Sequence, residues 1–128
     1  MQTVLVCDDN QDIREMASFI LKEDGFGVIE AARGHAVLPM VIQHKPDVVL
    51  LDIRLPDIDG YEVLSSLNAL PSGDRPIVIV FSAKSAAEDV AMARSLGASE
   101  FVEKPFTVDG LLFAVRRQAS RSLLRRSG

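Results

Sequence analysis

The sequence predicts an α/β fold in three layers, a parallel sheet of five strands covered by helices on both faces. Segments with a 3.6-residue apolar period alternate with short apolar runs along all 128 residues, the pattern of helices that cross over between parallel strands. Three of those runs, residues 4–7, 48–51 and 77–81, are apolar at every position, as strands buried on both faces are. Apolar residues make up 48% of the chain, which supports one core in one domain.

The first strand, Thr3–Cys7, ends at Asp8-Asp9. Asn10 is placed to cap a helix whose apolar residues Ile13, Met16, Ala17, Ile20 and Leu21 share one face. Gly25 stops that helix, and residues 28–29 form a short second strand. A second helix fills residues 34–43, with Ala36, Val37, Val41 and Ile42 turned inward. Pro39 falls within it and removes a backbone donor, so this helix is expected to kink, or to begin near Pro39. Continuous, unbent helix through residues 36–43 would contradict that expectation.

The third strand begins at Asp47 after Pro46 and ends at Asp52, where Leu55-Pro56-Asp57-Ile58-Asp59-Gly60 marks a turn. Asp59 with Glu62 has capping-box spacing and opens a third helix that buries Val63, Leu64 and Leu67. Residues 71–76 form a loop, and residues 77–81 a fourth strand. Ser85 with Glu88 is a second capping box, opening a fourth helix that runs to Leu96 and stops at Gly97. Residues 100–102 make a short fifth strand ending at Lys104-Pro105. Thr107 caps a fifth helix presenting Leu111, Leu112, Val115 and Ala119. The first, third and fourth strands are the most apolar and belong at the centre; the second and fifth are short and mixed, as edges are.

The single cysteine, Cys7, sits in an apolar run and reads as a small buried hydrophobe. The N-terminus lacks a basic region ahead of an apolar one, and no apolar run approaches membrane-spanning length. These features predict a cytoplasmic protein that does not engage a membrane. Net charge is −4, unevenly spread: residues 1–104 carry 9 basic and 17 acidic side chains, and residues 105–128 carry five Arg against Asp109. The basic end reads as a solvated helix terminus, and the acidic body argues against direct nucleic-acid binding.

Asp8 and Asp9 follow the first strand, Asp52 ends the third, Ser82 ends the fourth and Lys104 follows the fifth. Parallel strands point one way, so all these groups gather on the carboxyl edge of the sheet, where open α/β sheets bind ligands. Three carboxylates at ~4 Å repel by about 4 kcal/mol per pair at an effective dielectric near 20. The cluster must therefore protonate or bind a hard cation, and oxygen ligands with room for water suit Mg²⁺, with Mn²⁺ as an alternative. A carboxylate beside such an ion can attack phosphorus to form an aspartyl phosphate. Lys104 and the Ser82 hydroxyl would then meet phosphoryl oxygens.

With Asp8-Asp9, Asp52 and the turn after it, Ser82-Ala83 and Lys104-Pro105-Phe106 each at its strand end, residues 3–119 resemble the receiver domain of bacterial two-component response regulators. The resemblance implies a flavodoxin-like, doubly wound sheet in the order 2-1-3-4-5. It implies that residues 1–119 are the receiver and 120–128 a basic extension of the fifth helix or the start of a linker. Asp52 would be the phosphoacceptor. Asp9 and Asp52 would ligate the metal directly, Asp8 through water, and Arg54 through its main-chain carbonyl. Ser82 and Lys104 would hold the phosphoryl group, with Lys104-Pro105 cis. Phe101 would turn inward as Ser82 moves, repacking the surface of the fourth helix, fifth strand and fifth helix. Arg54 and Lys84, at the pocket mouth, would set the rate of dephosphorylation. His35 and His44 read as surface residues. Ser99-Glu100 departs from the Asp-Asp pair of receivers that dimerise on that surface.

The expected function is a phosphorelay switch. Its donor would be a sensor histidine kinase or histidine phosphotransfer protein and its output a downstream protein partner, as a monomer or a phosphorylation-linked dimer. It would catalyse only its own phosphorylation and dephosphorylation and would not be a turnover enzyme. The alternatives are a phosphorylation-independent interaction module on the same fold, or the receiver piece of a larger regulator or hybrid histidine kinase. A phosphohydrolase would want an Asp where Arg54 stands, and a nucleotide binder would want a Gly-rich loop where Asp8-Asp9-Asn10 stands.

Overall fold

A computed structural model describes residues 1–82 and 87–127, with side chains through residue 82 and from 89 to 125. Five strands, β1 (Thr3–Cys7), β2 (Gly27–Ala31), β3 (Val48–Asp52), β4 (Ile77–Ser82) and β5 (Glu100–Glu103), form one parallel sheet in the order β2-β1-β3-β4-β5. The helices are α1 (Gln11–Glu23), α2 (Val37–His44), α3 (Gly60–Asn68), α4 (Ala87–Ser95) and α5 (Val108–Ser127). The apolar central strands and mixed edges of the sequence are thus the strands found in those places.

Alternate residues of each central strand enter opposite cores. Leu5, Cys7, Val49, Leu51, Val78 and Val80 pack with Val37, Val41, Val63, Leu64, Leu67 and Ala93 of α2, α3 and α4. Val4, Val6, Val48, Leu50, Ile79 and Phe81 pack with Ala17, Leu21, Leu111, Val115 and their neighbours on α1 and α5. Each fully buried Val, Leu or Phe contributes about 1.5–3 kcal/mol of transfer free energy, so two aliphatic layers hold the sheet without tryptophan.

Local signals explain most helix ends. The Asn10 side chain accepts the Ile13 N–H at 3.1 Å, and α1 ends at Glu23, ahead of Gly25. A 3-10 turn over Gly34–Ala36 precedes α2, which starts two residues before Pro39. The proline therefore sits in the first turn, where a missing N–H breaks no intrahelical bond. Asp59 caps α3, but on the Tyr61 N–H at 2.9 Å; the Glu62 N–H goes to the Asp59 carbonyl instead. Thr107 Oγ1 accepts the Gly110 N–H at 2.9 Å and starts α5, which then runs unbroken past residue 119. The Ser85–Glu88 capping box, Ala83 and Lys84 lie outside the described residues and side chains.

Two apolar residues assigned inward point to solvent: Met16 is 57% exposed and Ile42 59%. On α1 the buried arc is rotated toward Ser18, which is buried, because the helix packs against α5 and β2 together. On α2 the two-turn helix turns Val37 and Val41 inward, leaving Ile42 on its flank. No described helix is long and apolar enough to cross a membrane.

Candidate functional site

The chain leaves β1 for one edge of the sheet by way of β2 and returns to place β3 on the other side of β1. The carboxyl ends of β1 and β3 therefore flank the point where strand order reverses. Asp8 emerges there from β1, fully buried, with Asp9 exposed beside it, and Asp52 closes β3 with 4% of its surface exposed. One carboxylate oxygen from each of the three lies within 4.8 Å of the others.

The backbone around the cluster is pinned. Asp8 Oδ1 accepts the Asn10 N–H at 2.9 Å, and the Arg14 guanidinium donates to the Asp8 carbonyl at 2.9 Å while also meeting Glu30 at 3.0 Å. Asp52 Oδ1 accepts the Arg54 N–H at 2.9 Å. Beyond Arg54 the chain doubles back, so that the Gly60 N–H reaches the Ile53 carbonyl at 3.1 Å. A Cβ at Gly60 would sit 2.2 Å from the Ile53 Cα, so only glycine permits this approach.

Lys104 reaches into the cluster from the end of β5. Its Nζ lies 2.5 Å from Asp8 Oδ2 and 3.3 Å from Asp52 Oδ2, and 4.6 Å from the centre of the Phe81 ring. Phe81 packs in turn on Phe106, ring centres 5.3 Å apart. The Lys104-Pro105 peptide is cis, and the Lys104 N–H donates to the Ser82 carbonyl at 2.6 Å.

Among the described residues Lys104 is the cation paired with Asp8 and Asp52, and against three carboxylates it leaves excess negative charge. Burial pushes the Asp52 carboxyl above its usual range and Asp8 adds to the rise; the Arg54 N–H and Lys104 oppose it without cancelling it. Burial, with help from Asp52 and Asp8, pushes the Cys7 thiol up to about 12, so Cys7 stays protonated and offers no competing nucleophile. The Ser82 hydroxyl is buried at the end of the neighbouring strand with no hydrogen-bond partner among the described residues. A buried polar atom without a partner costs roughly 1–3 kcal/mol.

The structure brings together Asp8, Asp9, Asp52 and Lys104, with Ser82 one strand away and Arg54 bound to Asp52 through its N–H while its side chain is exposed. Phe101 is half-buried, opposite Val80 in the register and packed against the core beneath α3 and α4. His35 and His44 are exposed. Three contacts around the site had no signal in the sequence: Arg14 with the Asp8 carbonyl, Asp57 with the N–H groups of Gly34 and His35, and the Tyr61 hydroxyl with Asp89. They join residues that no local pattern pairs.

The hard oxygen donor set, its excess negative charge and the raised Asp52 carboxyl fit a small divalent cation such as Mg²⁺. The unpartnered Ser82 hydroxyl and the Lys104 ammonium fit an anion carried beside it.

A family model described as the response regulator receiver domain matches residues 4–116. The chain is 37% identical over 122 residues to the transcriptional regulatory protein KdpE of Mycobacterium tuberculosis, a match covering 95% of this chain and 53% of that protein. It is 30% identical over 116 residues to the sporulation initiation phosphotransferase F of Bacillus subtilis, covering 91% of this chain and 92% of that protein. The chain spans about half the length of the transcriptional regulators it matches. In fold it is similar to a response regulator receiver domain protein from Methanospirillum hungatei, with a TM-score of 0.89 at 24% identity, covering 100% of this chain and 99% of that one.

Proposed function

The chain belongs to the response regulator receiver domain family, and from that premise we propose that Asp52 accepts a phosphoryl group from a phosphohistidine on a sensor kinase or phosphotransfer protein. The observation that carries this is the convergence of three carboxylates and Lys104 at the switch point of the sheet. An Asp52 carboxylate oxygen bonds to phosphorus as the P–N bond to the donor imidazole breaks, and the electron pair leaves with the nitrogen. In dephosphorylation water attacks phosphorus, the P–O bond to Asp52 breaks and the carboxylate is restored.

Asp9 and Asp52 would hold Mg²⁺ directly, Asp8 through water and Arg54 through its carbonyl. A divalent cation held there would supply positive charge against the carboxylates and for phosphoryl oxygens. Lys104 exchanges a carboxylate for a phosphoryl oxygen, and the Ser82 hydroxyl donates to another. Arg54, exposed beside Asp52, governs how readily water reaches the acyl phosphate, and Lys84, two positions after Ser82 in the sequence, shares that role. The domain acts on itself, not on an outside substrate.

The output is a change at the surface formed by α4, β5 and α5. Ala93 is the buried side chain among those described on α4, against Val63, Leu64 and Leu67 on α3, so the described part of α4 is less anchored than α3 on the side of the sheet they share. Ser82 moves toward the phosphoryl group and Phe101 turns inward, repacking that surface. This is a local charge event that biases a two-state element. The receiver reading covers residues 1–119, with 120–128 as a basic extension of α5 or the start of a linker. A protein partner in the cytoplasm receives the signal, and the acidic body disfavours direct nucleic-acid binding.

The test is intact mass after incubation with acetyl phosphate and Mg²⁺. The parent gains one phosphoryl group, Asp52→Asn gains none, and a chelator abolishes the gain. A folded, Mg²⁺-loaded parent that gains nothing from either acetyl phosphate or a phosphorylated kinase contradicts the proposal.

A further inference from the structure

Strand β2 lies at the sheet edge and carries none of the clustered carboxylates, yet its last residue, Ala31, and the junction that follows it touch both acidic loops. On the β1 side the Asp8 N–H donates to the Ala31 carbonyl at 3.2 Å, and the Cys7 thiol approaches the Arg33 carbonyl at 3.8 Å. On the β3 side Asp57 accepts two backbone N–H groups, Gly34 on Oδ1 and His35 on Oδ2, each at 3.0 Å. Those two donors open the 3-10 turn Gly34–Ala36, and so short a helix gives them no carbonyl of its own. They hold the Asp57 carboxyl below its usual range, His35 foremost.

The junction and the loop also meet sterically. A Cβ at Gly34 would lie 2.2 Å from Ile58 Cγ2 and 3.0 Å from Leu55 Cδ1, so the backbone at Gly34 lies directly on the loop that follows Asp52. That loop is tied at its start by the Arg54 N–H on Asp52 and at its end by the Gly60 N–H on Ile53. Asp57 ties it midway, to an element that also holds the Asp8 backbone.

We infer that Asp57 is a positioning residue for the acidic cluster: clamping residues 34 and 35, it fixes the loop carrying Arg54 and sets the spacing between the β1 and β3 carboxylates. The inference rests on reading that cluster as a Mg²⁺ site. Cation affinity then depends on a carboxylate that does not touch the cation, as metal sites depend on the groups that orient their ligands.

Calorimetric titration with MgCl₂ at fixed ionic strength tests this on the parent, Asp57→Ala, Asp57→Asn and Gly34→Ala, each first shown by its melting curve to be folded. Asp57→Ala and Gly34→Ala should each weaken Mg²⁺ binding by about tenfold or more. Asp57→Asn keeps one acceptor oxygen and should fall between Asp57→Ala and the parent. Gly34→Ala leaves every charge in place, so its loss of affinity separates positioning from electrostatics, and the gap between Asn and Ala at residue 57 does so independently. Parental affinity in all three variants overturns the inference. So does an equal loss in both Asp57 variants with Gly34→Ala unaffected, since charge alone would then account for it. A parent that binds no Mg²⁺ overturns the cation-site reading itself and this inference with it.

Discussion

Asp47 and Asp52 bracket the same central strand and are almost equally buried, at 6% and 4% exposure, but their surroundings are opposite. Asp47 enters β3 among donors. Its Oδ2 accepts the Thr3 N–H at 2.9 Å and its Oδ1 faces the Ser122 hydroxyl at 3.4 Å. Its main chain bonds both neighbouring strands, through the Thr3 carbonyl and the Ile77 N–H. Asp52 leaves β3 among other carboxylates, with Lys104 shared between it and Asp8. Burial of a carboxylate is tolerable where donors converge on it and costly where like charge does. The amino edge of this sheet is thus built for stability, and the carboxyl edge concentrates like charge around Lys104.

Removing the shared cation should have the largest effect. Lys104→Ala leaves Asp8 and Asp52 buried without their counterion, and should cost about 3 kcal/mol in metal-free protein. Thermal melts with and without Mg²⁺ check it: the Mg²⁺-induced rise in Tm should exceed the parent's, because binding to the folded state offsets the lost charge. At the other edge, Asp47→Ala strands the Thr3 N–H and should cost about 2 kcal/mol, roughly 5–10 °C in Tm for a domain of this size. Its Mg²⁺-induced rise should match the parent's. A rise altered as much as that of Lys104→Ala would erase the distinction between the two edges.

A surface pair gives the smallest effect. Arg116 Nε lies 2.8 Å from Asp24 Oδ2 and holds that carboxyl below its usual range. A carboxylate whose value is lowered by folding stabilises at pH above its unfolded value, about 3.9, and that contribution is lost as pH falls through the folded value. The pair is substantially exposed on its Arg116 side, so Asp24→Asn should cost about 0.5 kcal/mol at neutral pH. In chemical denaturation the difference from the parent should vanish in acid.

The two edges also differ in how far the sequence discloses them. The carboxyl edge is legible because strand direction gathers Asp8, Asp52 and Ser82, each marked by the end of an apolar run, with Lys104 after the short, mixed fifth strand. The strand positions follow from the same runs. The amino-edge role of Asp47 is not legible, since its partners Thr3 and Ser122 lie 44 and 75 residues away and neither is unusual in its local sequence. Asp57 and Gly34 are hidden for the same reason: the turn containing Asp57 is plain, but not the backbone it clamps. Met16 and Ile42 face solvent because apolar periodicity fixes a stripe only to within a neighbouring residue; on α1 the packing against both β2 and α5 selects the other side.

The most direct test of the contrast is the melting temperature of Asp52→Asn against the parent, measured at neutral pH in chelator and again in saturating Mg²⁺. Folding raises the Asp52 carboxyl above its unfolded value, so its contribution to stability is present below that unfolded value and lost as pH rises through the folded one. Neutralising the side chain should therefore raise the metal-free Tm, by roughly 3–5 °C for about 1 kcal/mol. Mg²⁺ should then stabilise the parent more than the variant and close or reverse the gap. A lower Tm for Asp52→Asn in chelator, with the same Mg²⁺ response as the parent, would mean that Asp52 is held as Asp47 is, and would contradict the account.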